Sequence, residues 1–442
     1  MRMRLLFPTS ALLFVAAIAA QPPDANPDSP ALARLERDVF AGHTTAVQEF
    51  WQTIESQGSP LVEEIPGDSQ KALATFVWKD SGDTKSVILN ARIDSADPFS
   101  DQRSRLQQLP GTNVWYLSHR FPADAEFLYQ LTVNLLPSNS GSPGAAMQRA
   151  LRPDPLNLHP YPPKSDPLFD PVQPWRNGSI ARMPAAPDNP WLARQPTVRT
   201  GELHEATVKS SVLTMANPRT VWVYTPPGPP LRNQNLLIVF DGGTTYQNRI
   251  PTTTILDNLY AAGKIDQTVA VFVDNGGEAR ALEMTFSDSF VKFLTDELLP
   301  WIQEKYELKT DSAHTVLCGD SLGGLISAYA ALRRPDVFGK VIAQSGSFQF
   351  KNLNDADRQA EWILRQFAKA RETSTFFHLD VGQMEDRPEG NDGTTLLDAN
   401  RHLRDLLKAR GYAVHYVEFY SDHDPVHWRR TLPEALMVTL GH

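Results

Sequence analysis

Six apolar runs after Thr200 constrain this 442-residue chain more than any other feature: 236–240, 269–273, 314–318, 340–343, 376–381 and 414–419. A strand with one wet face alternates apolar and polar residues. A strand that is apolar almost throughout must be covered on both faces. Between the runs, three-to-four spacing of apolar residues predicts helices at 287–305, 322–334 and 396–409. Strands alternating with helices in this way give an α/β fold with a doubly wound, mostly parallel sheet. A first pair of strands, expected at 206–213 and 219–225 with Asn217-Pro218 in the turn between them, would form an antiparallel edge.

The part before Thr200 reads differently. Leu32, Leu35, Val39, Val47, Phe50, Trp51 and Ile54 mark helical segments. Short strand patterns follow at 72–78, 86–92, 113–117 and 127–133, with turn residues between them. They predict a small β-sandwich domain over residues 31–136. Fourteen prolines then crowd the span 137–200. Their density argues against helix and central strand and predicts an extended linker leading to a second domain at 201–442.

The first residues carry a leader. Met1-Arg2-Met3-Arg4 is basic, 5–19 is apolar, and Ala17-Ile18-Ala19 resembles a cleavage site. Residues 1–20 are therefore expected to be a cleaved signal peptide and 21–30 a proline-rich spacer, placing the mature protein in the periplasm or outside the cell. No other apolar run is long enough to span a membrane. Cys318 is the sole cysteine, which excludes internal disulfides and cysteine-ligated metal centres. The net charge of −9 disfavours nucleic acid as a partner.

Gly319-Asp320-Ser321-Leu322-Gly323 lies between an apolar strand and an apolar helix. A G-x-S-x-G turn in that position lifts the serine hydroxyl above the sheet edge, and its glycines make the tight turn sterically possible. Serine needs a base, and for such turns the chain order is serine, acid, histidine. After the run ending at Phe419 come His423 and His427, and His423 is nearer the strand end. After the run 376–381, Glu385 and Asp386 both offer a carboxylate, of which Glu385 is favoured. Oxyanion donors are expected from the Leu322 N–H and from Gly242 and Gly243, in the loop after 236–240. No metal or cofactor motif is present, so no cofactor is expected.

With these residues in place, the chain resembles the enterochelin (ferric enterobactin) esterases, within the esterase-D-like α/β-hydrolases. The resemblance rests on Leu317-Cys-Gly-Asp-Ser-Leu-Gly-Gly324, Gln344-Ser-Gly-Ser-Phe348, Phe240-Asp-Gly-Gly243, Asp274-Asn275 with Arg280-Ala-Leu-Glu283, and His423-Asp424 with Trp428-Arg429. In the N-terminal half it rests on Thr75-Phe-Val-Trp-Lys-Asp80, Gly111-Thr-Asn-Val-Trp115, Asp154-Pro-Leu-Asn157 and Arg219-Thr-Val-Trp-Val-Tyr224. The alignment places the catalytic acid on Glu385. The chain departs from the family pattern at Ser421 and Asp422, where two glycines are usual, and at Asp320 before the nucleophile.

The resemblance implies a serine esterase that cuts the trilactone backbone of a catecholate siderophore, a small-molecule substrate, and so frees its iron. The ferric complex is anionic, so Arg280, Arg429, Arg249 and Arg387 are the expected binding arginines. Another secreted carboxylesterase, acting on feruloyl, acetyl or small peptide-like esters, is the alternative. All three triad candidates follow Thr200, so the C-terminal half alone is expected to cleave small activated esters, with the N-terminal half shaping access.

Overall fold

The computed structural model describes residues 29–91, 93, 101–135, 149–229, 235–356, 358–388 and 393–441. The signal peptide and most of the spacer lie outside the described residues. Among those described, no helix is long and apolar enough to cross a membrane.

The apolar runs form one eight-stranded sheet. Its spatial order is Glu202–Val208, Arg219–Thr225, Thr268–Val273, Asn235–Val239, Thr315–Asp320, Lys340–Gln344, Phe376–Gly382 and Ala413–Phe419. The first two strands are antiparallel to each other, and the second is antiparallel to Thr268–Val273. Every later pairing is parallel. All residues of Asn235–Val239, Thr268–Val273 and Thr315–Asp320 are buried, as two covered faces require.

One face packs on Leu322–Arg333, Trp362–Lys369, Leu396–Ala409 and the helical run 288–305, through Phe290, Leu325, Ile363 and Leu403. The other packs on Thr252–Ala261 and Pro425–Leu440, through Ile255, Leu259, Leu432 and Leu436. From Asn235–Val239 the chain goes first to the strand on one side and later to the strand on the other. A crevice therefore opens beyond the carboxyl end of Asn235–Val239, where such sheets bind ligands.

The N-terminal half is a sandwich of two antiparallel sheets. One runs Leu61–Ile65, Asp68–Lys79, Val114–Pro122, Gln107–Gln108. The other runs Val87–Asn90, Glu126–Val133, Gly178–Arg182, Pro160–Tyr161, with Leu151–Arg152 also on Glu126–Val133. Phe76, Phe121, Phe127 and Tyr129 fill the space between them. Val77 belongs to a separate cluster, on the helices Pro30–Phe40 and Ala46–Gln57, as two-residue periodicity dictates.

Two expectations are corrected. The first edge strand begins and ends earlier than 206–213, at Glu202–Val208. The proline-rich span is not a free linker, because Gly178–Arg182 pairs with Glu126–Val133 inside the sandwich. That strand fits in the gap between Pro174 and Pro184. Pro160 is tolerated because its strand is the sheet edge.

Candidate active site

Thr315–Asp320 passes into Leu322–Arg333 through one residue, Ser321, at φ 56° and ψ −119°. Two close approaches force this turn. A Cβ on Gly319 would lie 2.5 Å from the Gly323 backbone, and one on Gly324 would lie 2.9 Å from the Gly346 Cα. The Ser321 N–H donates to the Gln344 carbonyl at 2.9 Å. Its Oγ lies 3.3 Å from the Ser347 Oγ. The first-turn N–H groups of the helix, Leu322 first, have no carbonyl four residues back and open onto this end of the sheet.

His423 follows Ala413–Phe419, and its Nδ1 lies 2.8 Å from the Glu385 Oε2. A hydrogen bond there places the proton on Nδ1 and leaves Nε2 as the basic nitrogen. The His423 side chain is 27% exposed and that of Glu385 is fully buried. The other Glu385 oxygen accepts from the Gly382 N–H at 2.8 Å and the Ser345 hydroxyl at 2.6 Å. Ser345 in turn accepts from the Trp428 indole at 3.0 Å, and the Trp428 ring meets His423 edge-on at 5.0 Å. Of the two adjacent carboxylates, the one bonded to His423 is Glu385.

Burial disfavours both charged forms here, but their mutual attraction prevails. The Glu385 carboxyl is held below its usual range by His423, His427 and the Ser345 hydroxyl. Glu385, Asp320 and Asp422 lift the His423 imidazole to about 9.

Asp241 has φ 52° and starts the turn Gly242–Tyr246 at the switch point of the sheet. A Cβ on Gly242 would meet Phe272 at 2.5 Å, and one on Gly243 would meet the Trp222 ring at 2.6 Å. Only glycine lets this loop lie so close. The Asp241 carboxylate takes a two-pronged bond from Arg280, with Nε and Nη2 each at 2.7 Å. Burial and the nearby Asp241 push the Asp320 carboxyl up to about 7, against the pull of His423 and Arg280.

The expected binding arginines separate. Arg280 spends two of its donors on Asp241 and supports the loop. Glu283, three residues further on, holds the buried Arg219 through both oxygens at 2.7 Å. Arg387 is half-buried in the loop after Glu385. Arg249 and Arg429 line one cleft. His427 lies beneath the site, where its Nε2 and that of His378 bond the two oxygens of Asp380 at 3.0 and 3.2 Å. Despite complete burial, these rings hold the Asp380 carboxyl at about 2. Ser345, Ser347, Trp428 and Asp380 went unrecognised as site residues. The Gln344-Ser-Gly-Ser segment was visible in the sequence, but its proximity to Glu385 was not.

Comparisons with known proteins show which family the chain is similar to. A family model described as "Putative esterase" matches residues 213–439, and one described as "Enterochelin esterase, N-terminal" matches 73–192. An iron(III) enterobactin esterase of Dickeya dadantii is 30% identical over 86% of this chain and 90% of its own length. An iron(III) salmochelin esterase of Escherichia coli is 24% identical over 93% and 98%. The crystal structure of a ferric enterobactin esterase from Salmonella typhimurium matches the fold with a TM-score of 0.70 at 21% identity, covering 89% of this chain and 98% of that one.

Proposed function

The chain belongs to the enterochelin esterase family and is an ester hydrolase; on that premise we propose that it cleaves the backbone esters of a cyclic catecholate trilactone of the enterobactin type. The 2.8 Å contact between His423 and Glu385, together with a serine held in a strained strand-to-helix turn, carries this reading. Ser321 Oγ attacks the ester carbonyl carbon and its proton passes to His423 Nε2. Glu385 holds the ring and stabilises the imidazolium. The Leu322 N–H and the N–H groups of Gly242 and Gly243 receive the oxyanion. The C–O bond then breaks, and the leaving alkoxide takes the proton from His423. Water activated by the same ring releases the acyl group from Ser321.

The ring of the trilactone holds three chelating arms at high effective concentration, and opening it removes that advantage. The basic and apolar leader supports export, so that the reaction would take place outside the cytoplasm. Mass spectrometry of products from iron-loaded and iron-free trilactone tests the proposal. Linear dihydroxybenzoyl-serine oligomers are expected. An intact trilactone, with small esters still cleaved, would overturn the substrate assignment.

A further inference from the structure

A cleft of about 710 Å³ lies between the proline-rich segment and the loop that follows Gly242–Tyr246. Tyr161, Pro162 and Leu168 line it from the N-terminal half, while Arg249 and Arg429 line it from the catalytic half. Arg176 also lines it, and Asp166 is the one acidic residue of the lining.

Several arginines of this acidic protein sit on carboxylates: Arg182, Arg219, Arg280 and Arg401 do so at 2.7–3.0 Å. Arg176 lies 4.0 Å from Asp170. Arg249 and Arg429 have no carboxylate partner among the described residues. The Arg429 guanidinium lies over the Tyr161 ring, 5.0 Å from its centre, and the Tyr161 hydroxyl donates to the Arg249 carbonyl at 2.8 Å. One aromatic residue from the sandwich side thus braces both arginines.

Two elements of the candidate site continue into the lining of the cleft. Gln247 to Arg249 continue directly from the glycine turn, and Arg429 follows Trp428, whose ring meets His423. Its volume suits a small ligand. Prolines, a leucine and a tyrosine ring offer flat apolar contact, and unpaired guanidinium forks match neighbouring anionic oxygens.

We propose that this cleft holds an anionic aromatic arm of the substrate, with the ring against Tyr161 and Pro162 and its oxygens facing Arg249 and Arg429. The inference rests on the trilactone reading above and adds to it the place where an arm is gripped during cleavage.

Fluorescence titration of the iron-loaded trilactone into Ser321→Ala protein, at low and moderate salt, tests it. Adding Arg249→Ala and Arg429→Ala together should weaken binding about tenfold and flatten its salt dependence. Arg34→Ala with Arg37→Ala, which removes the same two charges from the exposed face of the first helix, should change neither. If the double variant melts early, Arg249→Gln and Arg429→Gln taken singly provide the same comparison. Affinity within twofold of the parent, with an unchanged salt slope, overturns the cleft assignment while leaving the trilactone reading in place. If the active enzyme leaves the trilactone intact, both fall.

Discussion

Ser321 is held at positive φ with its hydroxyl beside Ser347, so its reactivity depends on a base that the turn itself does not supply. Ser321→Ala should lower kcat on any ester by roughly 10⁴-fold or more, with the melting temperature little changed. Glu385→Gln should cost roughly 10³- to 10⁴-fold, and Asp386→Asn far less, in kinetics on one chromogenic ester. The reverse ranking would move the acid to Asp386.

The pH dependence follows from the two shifted groups. His423 works as a base only when neutral, and its imidazole titrates near 9, so kcat/KM should rise with pH through that value. The same raised value stabilises the fold fully below 6.5, a gain lost as pH climbs through about 9. Asp320 acts in the same sense over a lower interval. Its carboxyl rises from 3.8 to about 7, so the folded state keeps a proton that the unfolded chain releases, and stability falls across that interval. Asp320→Asn should therefore melt above the wild type at pH 8, with the gap closing below pH 4. The same variant should move the rise of kcat/KM to lower pH by roughly half a unit to one unit, because a negative neighbour of His423 is gone. A pH–rate profile that does not move would show that Asp320 leaves the base untouched.

At the level of elements, the strand-to-helix turn depends on an approach of backbone to backbone. Gly319→Ala would place a methyl group 2.5 Å from the Gly323 carbonyl carbon. The cost should be about 3 kcal/mol, seen as a melting temperature lower by roughly 6–12 °C, with activity lost alongside. Calorimetry showing a drop under 2 °C would mean that the turn relaxes freely. The sequence made this turn legible because an apolar strand, the glycines and an apolar helix are contiguous. It made the parallel sheet legible for the same reason, since burial on both faces leaves a local mark. Gly178–Arg182 escaped because five residues among prolines carry little signal, and what makes them a strand is Glu126–Val133, some fifty residues earlier. The partner of Arg280 was hidden for a related reason. Glu283 stood three residues away in sequence, whereas the true partner, Asp241, is 39 residues away and meets it only in the fold.

Across the whole molecule, the sandwich and the catalytic sheet share a core. Met384, next to the proposed acid, is buried among the sandwich residues, and Tyr420, three residues before His423, packs on them with its ring 6.1 Å from Phe121. Val426 is buried with Tyr161 and Ile180. Arg430 lies 3.6 Å from Glu126 of the sandwich. Both loops that carry the proposed acid and base therefore lean on the N-terminal half. A chain of residues 201–442 should lose at least about tenfold in kcat on small neutral esters, since small displacements of reacting groups are costly. Full activity of that chain would show that the loops hold their geometry unaided.

The same shared core bears on how the protein is made. A ribosome releases Phe76, Phe121 and Phe127 long before Met384 and Tyr420, so the nascent sandwich emerges with its interior incomplete and its apolar residues uncovered. Domains usually finish folding in the order of synthesis. Here the first half lacks Met384 and Tyr420 until nearly the whole polypeptide has appeared, which ties completion of its core to arrival of the carboxyl-terminal strand.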